Sequence, residues 1–152
     1  MIKIAITDDE ALIREGLEII LGAQPDIEVV ALCANGKEAA EACRQHELDL
    51  VLMDIRMPEY DGIFGTKEIR KVHGDKVKIL ILTTFQDTEY IREALQEGAS
   101  GYLLKDSSYD VIVNGIRSAV SGNNVFHPDV VNKIMNDAPV STFQREAYDL
   151  SE

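Results

Sequence analysis

The sequence predicts an α/β fold in which five parallel strands form one doubly wound sheet, in the order 2-1-3-4-5, with helices on both faces. Three observations predict it. Short apolar runs alternate along the chain with stretches of helical periodicity. The third run, Leu50–Met53, is apolar at successive positions, which is typical of a strand buried on both faces. Polar residues follow most of the runs, at the carboxyl ends of the predicted strands, which is where ligands bind in such sheets.

The strands are predicted from runs of β-branched and other apolar residues that end at turn signals or polar residues. They are Ile2–Thr7, Ile27–Cys33, Leu50–Met53, Val77–Leu82 and Gly101–Leu104. Parallel neighbours need crossover connections, and each stretch between the runs is long enough to contain a helix. We expect right-handed crossovers, which cover the sheet on both faces.

The helices are predicted from apolar residues that recur every three or four positions. They cover Ala11–Ala23, Lys37–Gln45, a stretch from Ile63 that ends near Gly74, Asp87–Glu97, and a stretch through Ile112 and Ile116 that Gly122 closes. The apolar stripe of the first helix consists of Leu12, Ile13, Leu17, Ile20 and Leu21. Ser107 or Ser108 can cap the fifth helix.

Three segments are predicted along the chain. Residues 1–123 form the α/β domain, 124–136 form an appended helix, and 137–152 form a linker. Pro128 suits the first turn of the appended helix, and apolar residues recur after it. The linker is predicted from its Ala-Pro-Val-Ser-Thr composition.

The composition excludes several classes of function. The net charge of −12 argues against direct nucleic-acid binding, which requires clustered lysine and arginine, but it suits a divalent cation or a basic partner. The apolar runs are too short to span a bilayer, so no membrane partner is expected. Cys33 and Cys43 lack metal-ligand spacing and are expected to be buried, reduced thiols. A cytoplasmic location is the simplest expectation.

Polar and charged side chains follow four of the predicted strands. The first strand ends at Asp8 and Asp9, and the third ends at Asp54. Thr83 follows the fourth strand, and Lys105 follows the fifth. One polar residue at a strand end is commonplace, and an aspartate there often caps the next helix. Because the carboxyl ends of parallel strands meet at one edge, however, this combination favours a functional site.

These side chains have the chemistry of a phosphoryl-transfer site. Neighbouring carboxylates repel one another, and a hard divalent cation such as Mg²⁺ relieves that repulsion. An ionised Asp54 can attack phosphorus to form an acyl phosphate. The Lys105 ammonium can neutralise the oxygens of the transferring group, and the Thr83 hydroxyl can donate a hydrogen bond to one of them.

Four segments together resemble the receiver domain of bacterial two-component response regulators. They are Asp8-Asp9, Met53–Pro58, Leu82-Thr83 and Tyr102–Lys105, and the resemblance runs from about residue 1 to residue 122. Lys105-Asp106 and the appended helix are similar to the NarL/FixJ subgroup, whose receivers precede a LuxR-type DNA-binding domain. The resemblance implies the flavodoxin-like form of the doubly wound fold. Asp106 replaces the proline that many receivers carry after this lysine, which leaves that peptide's conformation open.

The resemblance implies a role for each residue of the site. Asp54 is the phosphoacceptor, and its donor is the phosphohistidine of a cognate sensor histidine kinase or a small phosphodonor. Mg²⁺ (or Mn²⁺) is bound directly by Asp9, Asp54 and the backbone carbonyl of Arg56, and largely through water by Asp8. The chain is expected to be a phosphoacceptor switch with self-phosphorylation and self-dephosphorylation chemistry only, and not an enzyme.

The resemblance also implies a switch and its partners. Thr83 moves to the phosphoryl group, and Tyr102 rotates inward behind it. Phosphorylation drives homodimerisation, either through the first and fifth helices or through an exposed face that carries Tyr90, Tyr102 and Tyr109. DNA is expected to be contacted only through a C-terminal helix-turn-helix domain that is missing here. Asp149–Glu152 resemble the first residues of that domain.

Three other functions are open at this point. An aspartate-nucleophile phosphatase usually has a second aspartate two residues after the nucleophile, and Arg56 stands there. A flavodoxin-like cofactor binder needs a first loop that cradles phosphate, and Asp8-Asp9-Glu10 would repel one. A degenerate receiver that serves only as an interaction module is disfavoured, because its site is intact.

Overall fold

Strands and helices alternate along residues 1–84 and 88–126, which are the residues that the computed structural model describes. The strands are β1 (Ile2–Thr7), β2 (Ile27–Cys33), β3 (Leu50–Met53), β4 (Lys78–Thr83), β5 (Gly101–Leu104) and β6 (Val125–Phe126). The helices are α1 (Ala11–Gly22), α2 (Gly36–Gln45), α3 (Gly62–His73), α4 (Thr88–Gln96) and α5 (Tyr109–Val120). The strands form one sheet in the order β2-β1-β3-β4-β5-β6. The predicted fold class and the order of the first five strands are confirmed.

The sheet has a sixth strand that the sequence does not predict. Val125 and Phe126 pair in parallel with Gly101 and Tyr102, so the first residues of the predicted segment 124–136 form a strand ahead of Pro128, which is predicted in the first turn of the appended helix. The pairing depends on Gly101, where a Cβ would lie 2.0 Å from the Val125 carbonyl oxygen. A strand of two residues is too short to produce a periodic pattern. The rest of the predicted appended helix and the linker lie outside the described residues.

The sheet separates two apolar layers. One layer packs β1–β5 against α2, α3 and α4, and the other packs them against α1 and α5. The four residues of β3 contribute alternately to both layers, and none is more than 1% exposed. The prediction of a strand buried on both faces is confirmed, and this strand delivers Asp54 to the edge of the sheet.

The two cysteines are free thiols in the layer that contains α2, as predicted. Burial raises the pKa of Cys33 to about 11 and that of Cys43 to about 12. Because the thiolate is the reactive form, both side chains are structural rather than nucleophilic.

The apolar stripe of α1 is narrower than predicted. Leu17 and Leu21 are buried, whereas Leu12 is 83% exposed. At 100° per residue, Leu12 lies about 140° around the helix from Leu17 and therefore outside the buried stripe. Ile19 is also exposed, so α1 presents apolar side chains on its outer face. No described helix has the length and hydropathy needed to cross a membrane.

At the start of three helices, an N-cap side chain accepts a hydrogen bond from a backbone N–H. Asn35 accepts from the Glu38 N–H at α2, Asp61 from the Phe64 N–H at α3, and Ser108 from the Val111 N–H at α5. Ser108 is therefore the cap of α5, one of the two serines that the sequence allows. Helix α1 begins after Glu10, whose side chain forms no capping hydrogen bond.

Arg70 of α3 joins the segments that lead into β4 and β5. Its guanidinium donates to the carbonyl oxygens of Gly74, Val77 and Gly98 and to the hydroxyl of Ser100. Burial lowers the pKa of Arg70. These hydrogen bonds attach the segment after α4 to α3, next to the residues that lead into β4 and β5.

Candidate functional site

Asp54 lies directly after β3 and is 6% exposed. Its backbone N–H donates to the Thr7 carbonyl of β1 (2.9 Å), which holds it between two neighbouring strands. Its Oδ1 accepts from the Ile55 N–H (2.8 Å), and its Oδ2 lies 2.8 Å from the Lys105 Nζ. Burial raises the pKa of Asp54 to about 6, although the hydrogen bond and charge of Lys105 oppose the rise. The carboxylate is therefore oriented, and it is mostly ionised at neutral pH.

Lys105 follows β5 and contacts residues at the ends of β1, β3 and β4. Its backbone N–H donates to the Thr83 carbonyl at the end of β4 (2.7 Å). Its Nζ lies 2.8 Å from Asp54 Oδ2 and 3.0 Å from Asp8 Oδ2. Burial disfavours the ammonium, but the contacts with the two carboxylates outweigh burial and raise the pKa of Lys105. Lys105 is thus a fixed positive charge between Asp54 and Asp8.

The carboxylates of Asp8, Asp9 and Glu10 form an acidic cluster. One ligand oxygen from each lies within 4.8 Å of the others, and Asp8 is buried whereas Asp9 and Glu10 are exposed. Asp8 Oδ1 also accepts from the Glu10 N–H (2.9 Å). Such oxygen donors suit a hard divalent cation.

The acidic cluster overlaps only in part with the predicted metal ligands. Asp8 and Asp9 lie together as predicted, whereas Asp54 is connected to Asp8 through Lys105. The participation of Asp54 and of the Arg56 carbonyl in metal binding stays a prediction. Glu10 is not among the residues predicted for the site, although its position directly after the aspartate pair is a signal that could have indicated it.

Thr83 and Tyr102 lie on the same face of the sheet. Thr83 pairs with Leu104, and Ile81 pairs with Tyr102, so alternation places all four side chains toward α3 and α4. Thr83 is fully buried, and its predicted contact with a phosphoryl oxygen stays a prediction.

Tyr102 is inside the protein, so its predicted place on an exposed face with Tyr90 and Tyr109 is wrong. Tyr102 is 2% exposed, whereas Tyr90 and Tyr109 are 39% and 50% exposed. Tyr102 belongs to the buried layer that contains α3 and α4, and the Phe126 ring of β6 packs against its ring with centroids 5.3 Å apart. Burial raises the pKa of Tyr102 to about 12.

The loop between β3 and α3 closes tightly behind Asp54. The Gly62 N–H donates to the Ile55 carbonyl (2.7 Å), and a Cβ on Gly62 would lie 2.2 Å from the Asp54 carbonyl oxygen. Arg56 is exposed, and its guanidinium lies 5.0 Å from the centroid of the Tyr90 ring. The described residues contain no cis peptide, so the bond between Lys105 and Asp106 is trans.

Comparison with known proteins agrees with this geometry. The family model for the response regulator receiver domain matches residues 4–117. The transcriptional regulatory protein LnrK of Bacillus subtilis (strain 168) is 48% identical over 137 residues, which are 90% of this chain and 62% of LnrK. The chain therefore spans less than two thirds of that relative.

Solved structures give the same result. A two-component response regulator of the LuxR family from Aurantimonas sp. SI85-9A1 is 32% identical with a TM-score of 0.81, over 89% of this chain and 96% of that one. The receiver domain of the response regulator NarL from Mycobacterium tuberculosis is 30% identical with a TM-score of 0.75, over 80% of this chain and 98% of that one. Since the family match spans the strands that carry Asp8, Asp54 and Lys105, the chain belongs to the response regulator receiver domains, and its close relatives are of the LuxR type.

Proposed function

We propose that this receiver domain accepts a phosphoryl group on Asp54 from a sensor histidine kinase or a small phosphodonor, and thereby controls a transcriptional output. The observation that supports it is the contact of Lys105 Nζ with both Asp54 and Asp8. A buried carboxylate beside a fixed ammonium is an oriented nucleophile with positive charge already in place for the incoming group.

In the transfer, the Asp54 carboxylate forms a bond to phosphorus while the bond from phosphorus to the donor breaks. The leaving imidazole or carboxylate takes the electron pair of that bond. Lys105 neutralises charge on the phosphoryl oxygens, and the Thr83 hydroxyl donates to one of them. The protein is modified in this reaction, so we propose that it is a phosphoacceptor switch and not an enzyme acting on another substrate.

A divalent cation fits the acidic cluster, since three carboxylates there offer ligand oxygens within 4.8 Å of one another. We propose that Mg²⁺ (or Mn²⁺) is held by Asp8 and Asp9, with Asp54 and the Arg56 carbonyl completing the set. Glu10 is a further candidate ligand. When bound, the cation would supply positive charge that stabilises the phosphoryl oxygens.

Intact mass spectrometry tests the function. After incubation with acetyl phosphate and Mg²⁺, the protein is expected to gain the mass of one phosphoryl group, and Asp54→Asn is expected to gain none. Phosphorylation of Asp54→Asn to the same extent would contradict the assignment. Multiple turnover of a phosphomonoester would instead support an aspartate-nucleophile phosphatase.

We propose that the output involves a homodimer, DNA binding by a LuxR-type domain beyond this chain, and a cytoplasmic location. The relatives are named transcriptional regulators, and the chain spans only 62% of LnrK. The exposed Leu12 and Ile19 of α1 favour a dimer surface that includes α1 and α5. Tyr102 is already buried before any modification, so the proposed switch involves movement of Thr83 with little room for an inward rotation of Tyr102.

The dimer is tested by size-exclusion chromatography with light scattering. Addition of beryllofluoride and Mg²⁺ is expected to shift the protein from monomer to dimer, because the phosphoryl mimic favours the active conformation. Leu12→Ser combined with Ile19→Ser removes the exposed apolar side chains and is expected to prevent the shift. An unchanged mass for the unsubstituted protein would contradict phosphorylation-driven dimerisation.

A further inference from the structure

The turn between β1 and α1, residues 8–10, carries the acidic cluster and is not held by a helix cap. The side chain of Glu10, which precedes α1, forms no capping hydrogen bond, and the first turn of α1 contains no acidic residue. Helices α2, α3 and α5, in contrast, each begin with a side-chain cap. The conformation of this turn therefore depends on other contacts, most of which involve Asp8.

Every polar group of Asp8 has a partner. Its backbone N–H donates to the Cys33 carbonyl at the end of β2 (3.0 Å). Its Oδ1 accepts from the Glu10 N–H (2.9 Å), and its Oδ2 lies 3.0 Å from the Lys105 Nζ. Its backbone carbonyl accepts a hydrogen bond from the Arg14 guanidinium. Since Asp8 is 2% exposed, these four contacts fix both its backbone and its carboxylate.

Arg14 lies at the end of the first turn of α1, which is an unfavourable place for a positive charge. The N-terminus of a helix is the positive end of its macrodipole, so a cation there is repelled. The Arg14 backbone N–H donates to the Glu10 carbonyl (3.1 Å), a helical hydrogen bond that any residue except proline can form. The contact with the Asp8 carbonyl, however, requires the arginine side chain. Helix stability therefore does not explain this arginine, whereas the contact with Asp8 does.

The contact has a consequence for the acidic cluster. The guanidinium binds a backbone carbonyl and thus uses no carboxylate oxygen of the cluster. The ligand oxygens of Asp8, Asp9 and Glu10 lie within 4.8 Å of one another. Carboxylates at this spacing repel one another, so a turn without this restraint would let them separate, whereas a divalent cation requires them together.

We propose that Arg14 is a positioning residue that holds the Asp8 carbonyl and thereby keeps the three carboxylates of the acidic cluster together for a divalent cation. The role of Arg14 rests on the proposed function, because it concerns the Mg²⁺ (or Mn²⁺) site proposed there. Arg14 acts through Asp8 and is not itself a ligand, since a guanidinium has donors only.

The test is the affinity of the unphosphorylated protein for Mn²⁺, measured by electron paramagnetic resonance of the free ion. Arg14→Met and Arg14→Gln are each expected to weaken Mn²⁺ binding about tenfold, which is the typical effect of removing a group that orients a metal ligand. A purely electrostatic role gives the opposite sign, because loss of a positive charge near a cation site strengthens binding.

Two further variants serve as controls for the Mn²⁺ measurement. Asp9→Asn removes a proposed ligand and is expected to abolish binding, which would assign the ion to the acidic cluster. Arg44→Met removes an exposed arginine in the last turn of α2 and is expected to leave the affinity unchanged. Circular dichroism and thermal unfolding verify that each variant is folded.

The phosphorylation of Asp54 by acetyl phosphate gives a second readout. In Arg14→Met, the Mg²⁺ concentration that gives half of the maximal rate is expected to rise about tenfold. The maximal rate at saturating Mg²⁺ is expected to stay within about twofold of that of the unsubstituted protein. General damage to the site would instead lower the maximal rate.

Several results would overturn the role of Arg14. One is unchanged or tighter Mn²⁺ binding in Arg14→Met and Arg14→Gln, and another is a lower maximal rate with an unchanged dependence on Mg²⁺. A third is Mn²⁺ binding by Asp9→Asn that equals that of the unsubstituted protein, because the ion would then lie outside the acidic cluster. If the unsubstituted protein binds Mn²⁺ but takes no phosphoryl group, the proposed function fails, whereas the Mn²⁺ affinities still decide the role of Arg14.

Discussion

Lys105→Met is expected to slow the phosphorylation of Asp54 by acetyl phosphate about 100-fold. The Lys105 ammonium lies within 3.0 Å of carboxylate oxygens of both Asp54 and Asp8. Methionine keeps much of the volume of the side chain but removes the positive charge that the transferring group requires. The measurement is the initial rate of phosphorylation by intact mass, with the unsubstituted protein beside it.

Lys105→Met is also expected to change the pH dependence of the phosphorylation rate. Only the ionised carboxylate can attack phosphorus, and burial raises the pKa of Asp54, so the rate of the unsubstituted protein is expected to fall as the pH is lowered. Lys105 lowers that pKa. Its removal therefore raises the pKa of Asp54 and shifts the midpoint of the rate profile to higher pH.

Lys71→Met, which changes an exposed lysine on α3, is the matched control and is expected to leave both the rate and the pH profile unchanged. If the phosphorylation rate of Lys105→Met reached half its maximum at the same pH as that of the unsubstituted protein, Lys105 would not control the ionisation of Asp54.

Gly62→Ala is expected to destabilise the protein by about 3 kcal/mol and to reduce phosphorylation of Asp54. The added Cβ would lie 2.2 Å from the Asp54 carbonyl oxygen and 2.9 Å from the Ile55 Cα. Both contacts are with backbone, so no flexible side chain can move aside, and relief requires a shift of the loop between β3 and α3. The free energy of unfolding from urea denaturation measures the effect.

Gly16→Ala serves as the control and is expected to stabilise the protein. Gly16 lies inside α1, and a Cβ there has no neighbour within 4 Å. Alanine is the better helix former, so the free energy of unfolding is expected to rise by about 0.5–1 kcal/mol. If Gly62→Ala were as stable as the unsubstituted protein, the close approach to the Asp54 carbonyl would not constrain the loop.

Most of the framework could be predicted because it depends on local patterns. The bounds of β1, β2, β3 and β5 agree with the structure, since each is a short, mainly apolar run with a clear stop. Strand β4 begins and ends one residue later than predicted, because Val77 is buried without joining the strand and Thr83 is the last residue of the strand. The convergence of Asp8, Asp54 and Lys105 follows from topology, because parallel strands deliver their carboxyl ends to one edge.

Two errors have different physical causes. Tyr102 is buried in the layer that contains α3 and α4, and Phe126 of β6, which pairs closely with Gly101, packs against its ring. Leu12 is exposed because it lies about 140° around α1 from the buried Leu17, which the spacing of the two residues in the sequence already indicates. The contact between Tyr102 and Phe126, in contrast, joins two separate segments.

Local patterning was thus sufficient for the fold class and the strand order, and it indicated Asp54 as the predicted phosphoacceptor. Contacts between segments far apart in the chain decided the rest. The bridge from Lys105 to Asp8 and Asp54, the hydrogen bonds of Arg70 across two loops, and the placement of Arg56 on Tyr90 each join residues on different elements. Hydrophobic periodicity records which face of an element is buried, but the partner across a contact is determined only when the elements pack together.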